Sequence, residues 1–142
     1  MKRFVIGLAA LLGLVAIASA QVVTTKPFPE GAQTNNLVKS VDFTTGATSI
    51  SFTGVSGKWT YICGFVVTTG ATTAATTGKV TVTGTLETMN YTYVFVSSGQ
   101  GILGIAWPGC ISSSAANTTI TVNVPAGGAG TVGSVSAWGY TN

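Results

Sequence analysis

From Leu37 onward the chain alternates apolar and polar side chains with a period of two. That spacing sends successive side chains to opposite faces of an extended backbone, whereas a helix would need a repeat of 3.6. Val41 and Phe43 alternate with Ser40 and Asp42, and Ile50 and Phe52 with Ser49, Ser51 and Thr53. Trp59, Tyr61, Cys63, Phe65 and Val67 read as one face of a longer segment. Val80, Val82 and Leu86 alternate with Thr81, Thr83 and Thr85. Tyr91, Tyr93 and Phe95 share a face, with Val94 and Val96 behind it. An apolar run covers 102–107, and Ile120, Val122 and Val124 alternate with Thr119, Thr121 and Asn123. Val135 and Ala137 alternate with Ser134, Ser136 and Trp138.

The pattern predicts about eight strands. Valine and threonine support it, because branched side chains fit a pleated surface and lose rotamers in a helix. Glycine and proline clusters separate the segments at 45–46, 54–57, 70–78, 97–101, 108–109 and 125–130. Short strands with regular turns predict an all-β fold, an antiparallel β-sandwich of jelly-roll type. Segments 61–67 and 91–96 are apolar on both faces, which predicts central strands or a face covered by another subunit. The Thr-, Ala- and Gly-rich stretch 68–78 reads as a flexible hairpin loop.

Residues 1–20 carry a second pattern. Lys2 and Arg3 precede an uncharged apolar run over 4–17, and Ala18, Ser19 and Ala20 form a small-residue cleavage site. This is the layout of a secretory leader, with Gln21 as the expected mature start. The run is short for a membrane span of about 20 residues. An extracytoplasmic location follows: secreted, periplasmic or at the cell surface. Residues 21–36, with Pro27, Pro29 and Gly31, read as an extended arm, and 37–142 as the sandwich domain.

Loss of the leader leaves Lys26, Lys39, Lys58 and Lys79 against Glu30, Asp42 and Glu87, close to neutrality. Scattered lysines without arginine do not make a nucleic-acid surface, which needs clustered positive charge. The chain is 46% hydrophobic and 6% charged, the reverse of a disordered composition. So little charge suits either a dilute extracellular setting or a surface covered by copies of itself.

Histidine is absent, which removes Ser-His-Asp and Cys-His catalysis and imidazole metal sites. No acidic cluster offers the six to eight oxygens calcium takes. Asp42 and Glu87 are the one carboxylate pair worth weighing for glycoside hydrolysis, and both read as ordinary exposed residues. The expectation is a protein without catalytic residues, metal or cofactor. Cys63 and Cys110 are the sole cysteine pair. In an oxidising compartment they are expected to form a disulfide closing a loop of about 48 residues, worth roughly 4 kcal/mol by chain entropy. Two buried free thiols are the alternative.

Aromatic residues offer a binding surface. Trp107, Trp138 and Tyr140 are candidates for a sugar platform, since aromatic faces bind apolar surfaces at low entropy cost. Alternate aromatics on strands also fill cores, and Trp59, Tyr61 and Phe65 are assigned there. Thr81, Thr83 and Thr85 form a short threonine row, a weak version of the arrays that order water as ice does. Asn90-Tyr91-Thr92 and Asn117-Thr118-Thr119 match the N-glycosylation acceptor. Val22, Val23, Thr24 and Thr25 are β-prone and, freed at Gln21, form a candidate arm that adds a strand to a neighbouring copy. The competing reading is a frayed terminus.

Two stretches, Tyr61-Ile62-Cys63-Gly64-Phe65 and Val135-Ser136-Ala137-Trp138-Gly139-Tyr140, resemble segments of small uncharacterised β-rich proteins of phages and bacteria, some exported. That resemblance implies an extracellular or virion-associated sandwich with a structural or accessory role. The leading expectation is a secreted, non-enzymatic, self-assembling surface protein of filament, envelope or virion. The other is an extracellular module binding carbohydrate or another surface ligand through exposed aromatics, a cell-surface glycan being the natural partner.

Overall fold

Alternating branched and aromatic residues build eight strands in the computed structural model, which describes residues 35–70, 76–97 and 99–142. They are β1 (Asn35–Phe43), β2 (Thr48–Phe52), β3 (Thr60–Thr69), β4 (Thr76–Thr83), β5 (Met89–Phe95), β6 (Gly101–Ser112), β7 (Ile120–Val124) and β8 (Gly133–Thr141). The expected leader over 1–20 and the candidate arm residues Val22, Val23, Thr24 and Thr25 lie outside the described residues. Asn35 and Asn36, read from sequence as the end of the arm, already pair with Thr141 and Tyr140.

The strands form two four-stranded antiparallel sheets, ordered β1-β8-β3-β6 and β2-β7-β4-β5. Every connection passes from one sheet to the other except β4–β5. This is the strand order of a jelly roll, so the fold expected from the sequence is present. The stretch read as a hairpin loop does not join paired strands: Thr68 and Thr69 end β3 in one sheet, and Thr76, Thr77 and Gly78 begin β4 in the other.

The core lies between the sheets. Phe43, Val135, Ala137, Ile62, Phe65 and Val67 meet Ile50, Phe52, Ile120, Val122, Val80, Val82, Tyr93 and Phe95. Inside it, Thr69 Oγ1 and the Tyr93 hydroxyl share a hydrogen bond of 2.7 Å, and Tyr93 meets Phe95 edge-on. Pairing satisfies both hydroxyls where water is excluded, which keeps the cost of burying them small.

The alternation breaks at two points. Cys63 is an extra residue in β3: the register against β8 slips between Ile62 and Gly64. The phase therefore reverses there, as a β-bulge requires. Phe65 and Val67 face the core, but Tyr61, expected with them, faces outward and is half-buried, and Trp59 is exposed. Gly84, at φ +86°, ends the β4 alternation early. Thr85 is then buried and bridges Ser113, while Leu86, expected inside, is 85% exposed. β5, expected to be central or covered on one face by another subunit, is an edge strand of its sheet, and Val94 on its outer side meets solvent.

Candidate functional site

The bulge at Cys63 organises one side of the β1-β8-β3-β6 sheet. Across it, β6 inserts four residues, Trp107, Pro108, Gly109 and Cys110, between the partners of Gly64 and Ile62. Cys110 takes the left-handed backbone region, φ +50°. The Cys63–Cys110 disulfide ties this excursion to β3. Trp107, at its start, faces inward against the Phe65 ring, with centroids 6.0 Å apart.

The outward face of this sheet reads in rows across β1, β8, β3 and β6. One row holds Asn36, Tyr140, Tyr61 and Ser112, and the next Val38, Trp138, Gly64 and Ala106. A third holds Ser40, Ser136, Val66 and Gly104, and the last Asp42, Ser134, Thr68 and Ile102. Tyr61 and Tyr140 stack nearly parallel, 4.6 Å apart, and Tyr140 is only 2% exposed. Burial first, then the neighbouring Tyr61, pushes the Tyr140 hydroxyl above its ordinary pKa. The Trp138 ring occupies the space a Cβ on Gly64 would need, so glycine is what lets the indole lie over β3. Of the three aromatics selected as a binding platform, Trp138 and Tyr140 thus share the outer face, whereas Trp107 is on the inner side. Tyr61 takes its place beside them. The bulge turns Tyr61 outward, whereas Trp107 follows Leu103 and Ile105 inward by plain alternation; an extra residue in a strand leaves no mark in the alternation on either side of it.

The opposite end of the face is polar. Ser40 pairs with Ser136 at 2.9 Å and Thr68 with Ser134 at 2.8 Å, hydroxyl to hydroxyl. Beyond them an open depression of about 440 Å³ is lined by Asp42, Thr68, Gln100, Ile102, Val132 and Ser134, among others. Asp42 is the carboxylate here. Glu87 follows Thr85, whose bridge to Ser113 lies at the start of β3, some eight residues of strand away, roughly 25 Å. The pair weighed for glycoside hydrolysis does not share a cleft. Among the described residues no group of three His, Cys, Asp or Glu could hold a metal.

The other sheet turns hydroxyls and amides outward: Ser49, Asn123, Thr81 and Asn90 in one row, Ser51, Thr121 and Thr83 in the next. They bond to each other, Ser51 to Thr121 at 2.8 Å and Asn123 Nδ2 to Thr81 Oγ1 at 3.3 Å. Thr85 faces inward and leaves the threonine row proposed from the sequence. Asn90 is exposed on β5, while Asn117 Oδ1 accepts the Gly57 N–H at 2.6 Å and ties two loops together.

Lys39 and Asp42 lie on β1, whereas Lys79 lies on β4 beside β5 and Glu87 just before β5. Lys39 on β1 donates to the Ser51 carbonyl on β2 at 2.7 Å, joining the two sheets along one flank. On the opposite flank, β5 and β6 carry none, and no charged residue occurs from Thr88 to the C-terminus. Edge strands are commonly protected by lysine, proline or bulges, and β6 has such protection only at Pro108 and its excursion. Sequence alone held the clue, an uncharged strand with Gly104 and Ala106 at alternate positions, but not that β6 lies at an edge.

The described residues thus form a disulfide-pinned, eight-stranded jelly-roll sandwich whose β1 and β2 flank is joined by Lys39 and whose opposite edge strands, β5 and β6, contain no charged residue. No known protein family, curated protein or solved structure matches the chain.

Proposed function

We propose that this chain is an exported structural protein that works by associating with copies of itself at or outside the cell surface. The observation that carries the reading is the pair of edge strands β5 and β6, which contain no charged residue and expose Ile102 and Val94 to water. An uncharged edge lacks the repulsion that keeps sheets apart, and the disulfide suits an oxidising compartment. Full-length chain, expressed with its leader and recovered after export, should lack residues 1–20 by mass spectrometry. It should gain mass with concentration in sedimentation velocity. Retention of the leader overturns export, and a monomer at every concentration up to the millimolar range overturns self-association.

A second reading rests on Trp138. An indole lying over Gly64, with Tyr61 and Val38 nearby, offers one ring face toward solvent for a sugar ring of a cell-surface glycan. Binding to immobilised polysaccharide that Trp138→Ala abolishes, with self-association unchanged, would favour it.

A further inference from the structure

We infer that the partner at the open flank is β6 of a second copy, paired antiparallel about a two-fold axis at Gly104. This deepens the self-association reading and rests on it. The backbone directions of β6 follow from its neighbours. Gly70 donates to Val132 on the β8 side, and Asn142 and Trp59 exchange bonds on that side too, whereas Ser113 donates to Thr60 on the β6 side. Alternate residues of an antiparallel strand point their N–H and C=O to opposite sides. Thr69, Phe65 and Val67 therefore bond to β6, through their partners Gly101, Ile105 and Leu103. Among the described residues, Ile102, Gly104 and Ala106 are left pointing their N–H and C=O groups away from β3, at an edge where no further strand pairs.

All three are exposed, Ile102 at 69%. Their side chains are self-complementary about Gly104. A two-fold there sets Gly104 against Gly104 of the second copy, and Ile102 against Ala106, large against small. Three such pairs, each exchanging two bonds, make about six hydrogen bonds. On the inner side Leu103 meets Ile105, and both are half-buried in the single chain. A Cβ on Gly104 would find only Val66 Cγ2, 3.7 Å away, so the approach to the dyad is unobstructed.

The same features stop growth. Pro108 has no N–H to continue the ladder, and the disulfide holds the excursion behind it. The merged eight-stranded sheet would end at both sides in β1, which carries Lys39 and is joined to β2. A two-fold contact of this kind closes as a dimer rather than extending as a fibre. The ladder is short, so the buried area lies at or below the roughly 1,200 Å² of stable complexes, and dissociation is expected in the micromolar range.

Gly104→Pro tests it, since proline removes an edge N–H that β3 does not use. Ile102→Lys adds an edge charge without touching the core and serves if the proline variant fails to fold. Val38→Lys places the same charge on the other flank. Sedimentation equilibrium of the oxidised protein should show a dimer weakened on the order of tenfold or more by Gly104→Pro and by Ile102→Lys, and unaffected by Val38→Lys. Amide exchange at Ile102, Gly104 and Ala106 should slow as concentration rises. Association that survives both β6 variants, or is lost in Val38→Lys, overturns this pairing while leaving self-association standing. A wild-type protein that never associates removes both.

Discussion

Trp138 and Gly64 sit side by side on adjacent strands, and the indole fills the position of the missing Cβ. The Ile105 carbonyl closes the same space from β6 at 2.6 Å. Gly64→Ala must therefore move both a ring and a backbone. The expected loss is about 1–3 kcal/mol, the usual cost of overpacking. Denaturant unfolding followed by tryptophan fluorescence measures it, and the folded-state emission should itself shift as Trp138 lifts from β3.

Thr69 and Tyr93 form a closed polar pair in the core. Tyr93→Phe keeps the ring contact with Phe95 but strands the Thr69 hydroxyl without a partner. A loss of about 1–3 kcal/mol is expected. Adding Thr69→Val should recover part of it, because removing both partners leaves no unpaired group. A double-mutant cycle by chemical denaturation tests the sign of that coupling.

Removing the disulfide by Cys63→Ala with Cys110→Ala opens a loop spanning 47 positions. The expected cost is about 2–4 kcal/mol. The residues at 107–110 should also become the preferred site of limited proteolysis, since their tie to β3 is the bond removed. Thermal melts and peptide mapping check the two effects separately.

Alkali should destabilise the protein through Tyr140. Its hydroxyl ionises less readily in the folded chain than in the unfolded one, so its contribution is complete below the ordinary value of 10.0. As pH rises past that value, the unfolded state sheds the proton first and stability falls until the folded state ionises too. Tyr140→Phe should flatten this loss. Equilibrium unfolding across the alkaline range, with tyrosinate absorbance recorded in parallel, provides the comparison.

Where strand and sequence period agree, the chain is legible without coordinates. Ile50 and Phe52, Val80 and Val82, Ile120, Val122 and Val124, Tyr93 and Phe95 all face the core as their spacing requires. An antiparallel sandwich follows from such local alternation, because a face that is apolar at every second residue must be covered. The pairing of Cys63 with Cys110 was likewise the one disulfide available. Tyr61 and Leu86 escaped that logic. A bulge at Cys63 and a left-handed glycine at Gly84 shift the phase, and nothing in the flanking alternation records the shift.

Sequence by itself determined most of the elements and, where the alternation runs unbroken, the face a strand buries, since these depend on residue type and local spacing. Only the tertiary structure decided which strands are neighbours and which are edges. Strand order is set by contacts between distant residues, β1 with β8 and β3 with β6, whose free energy comes from closing the sandwich as a whole. That is why Gly104 reads as an ordinary strand glycine in the chain and as the centre of an open edge in the fold.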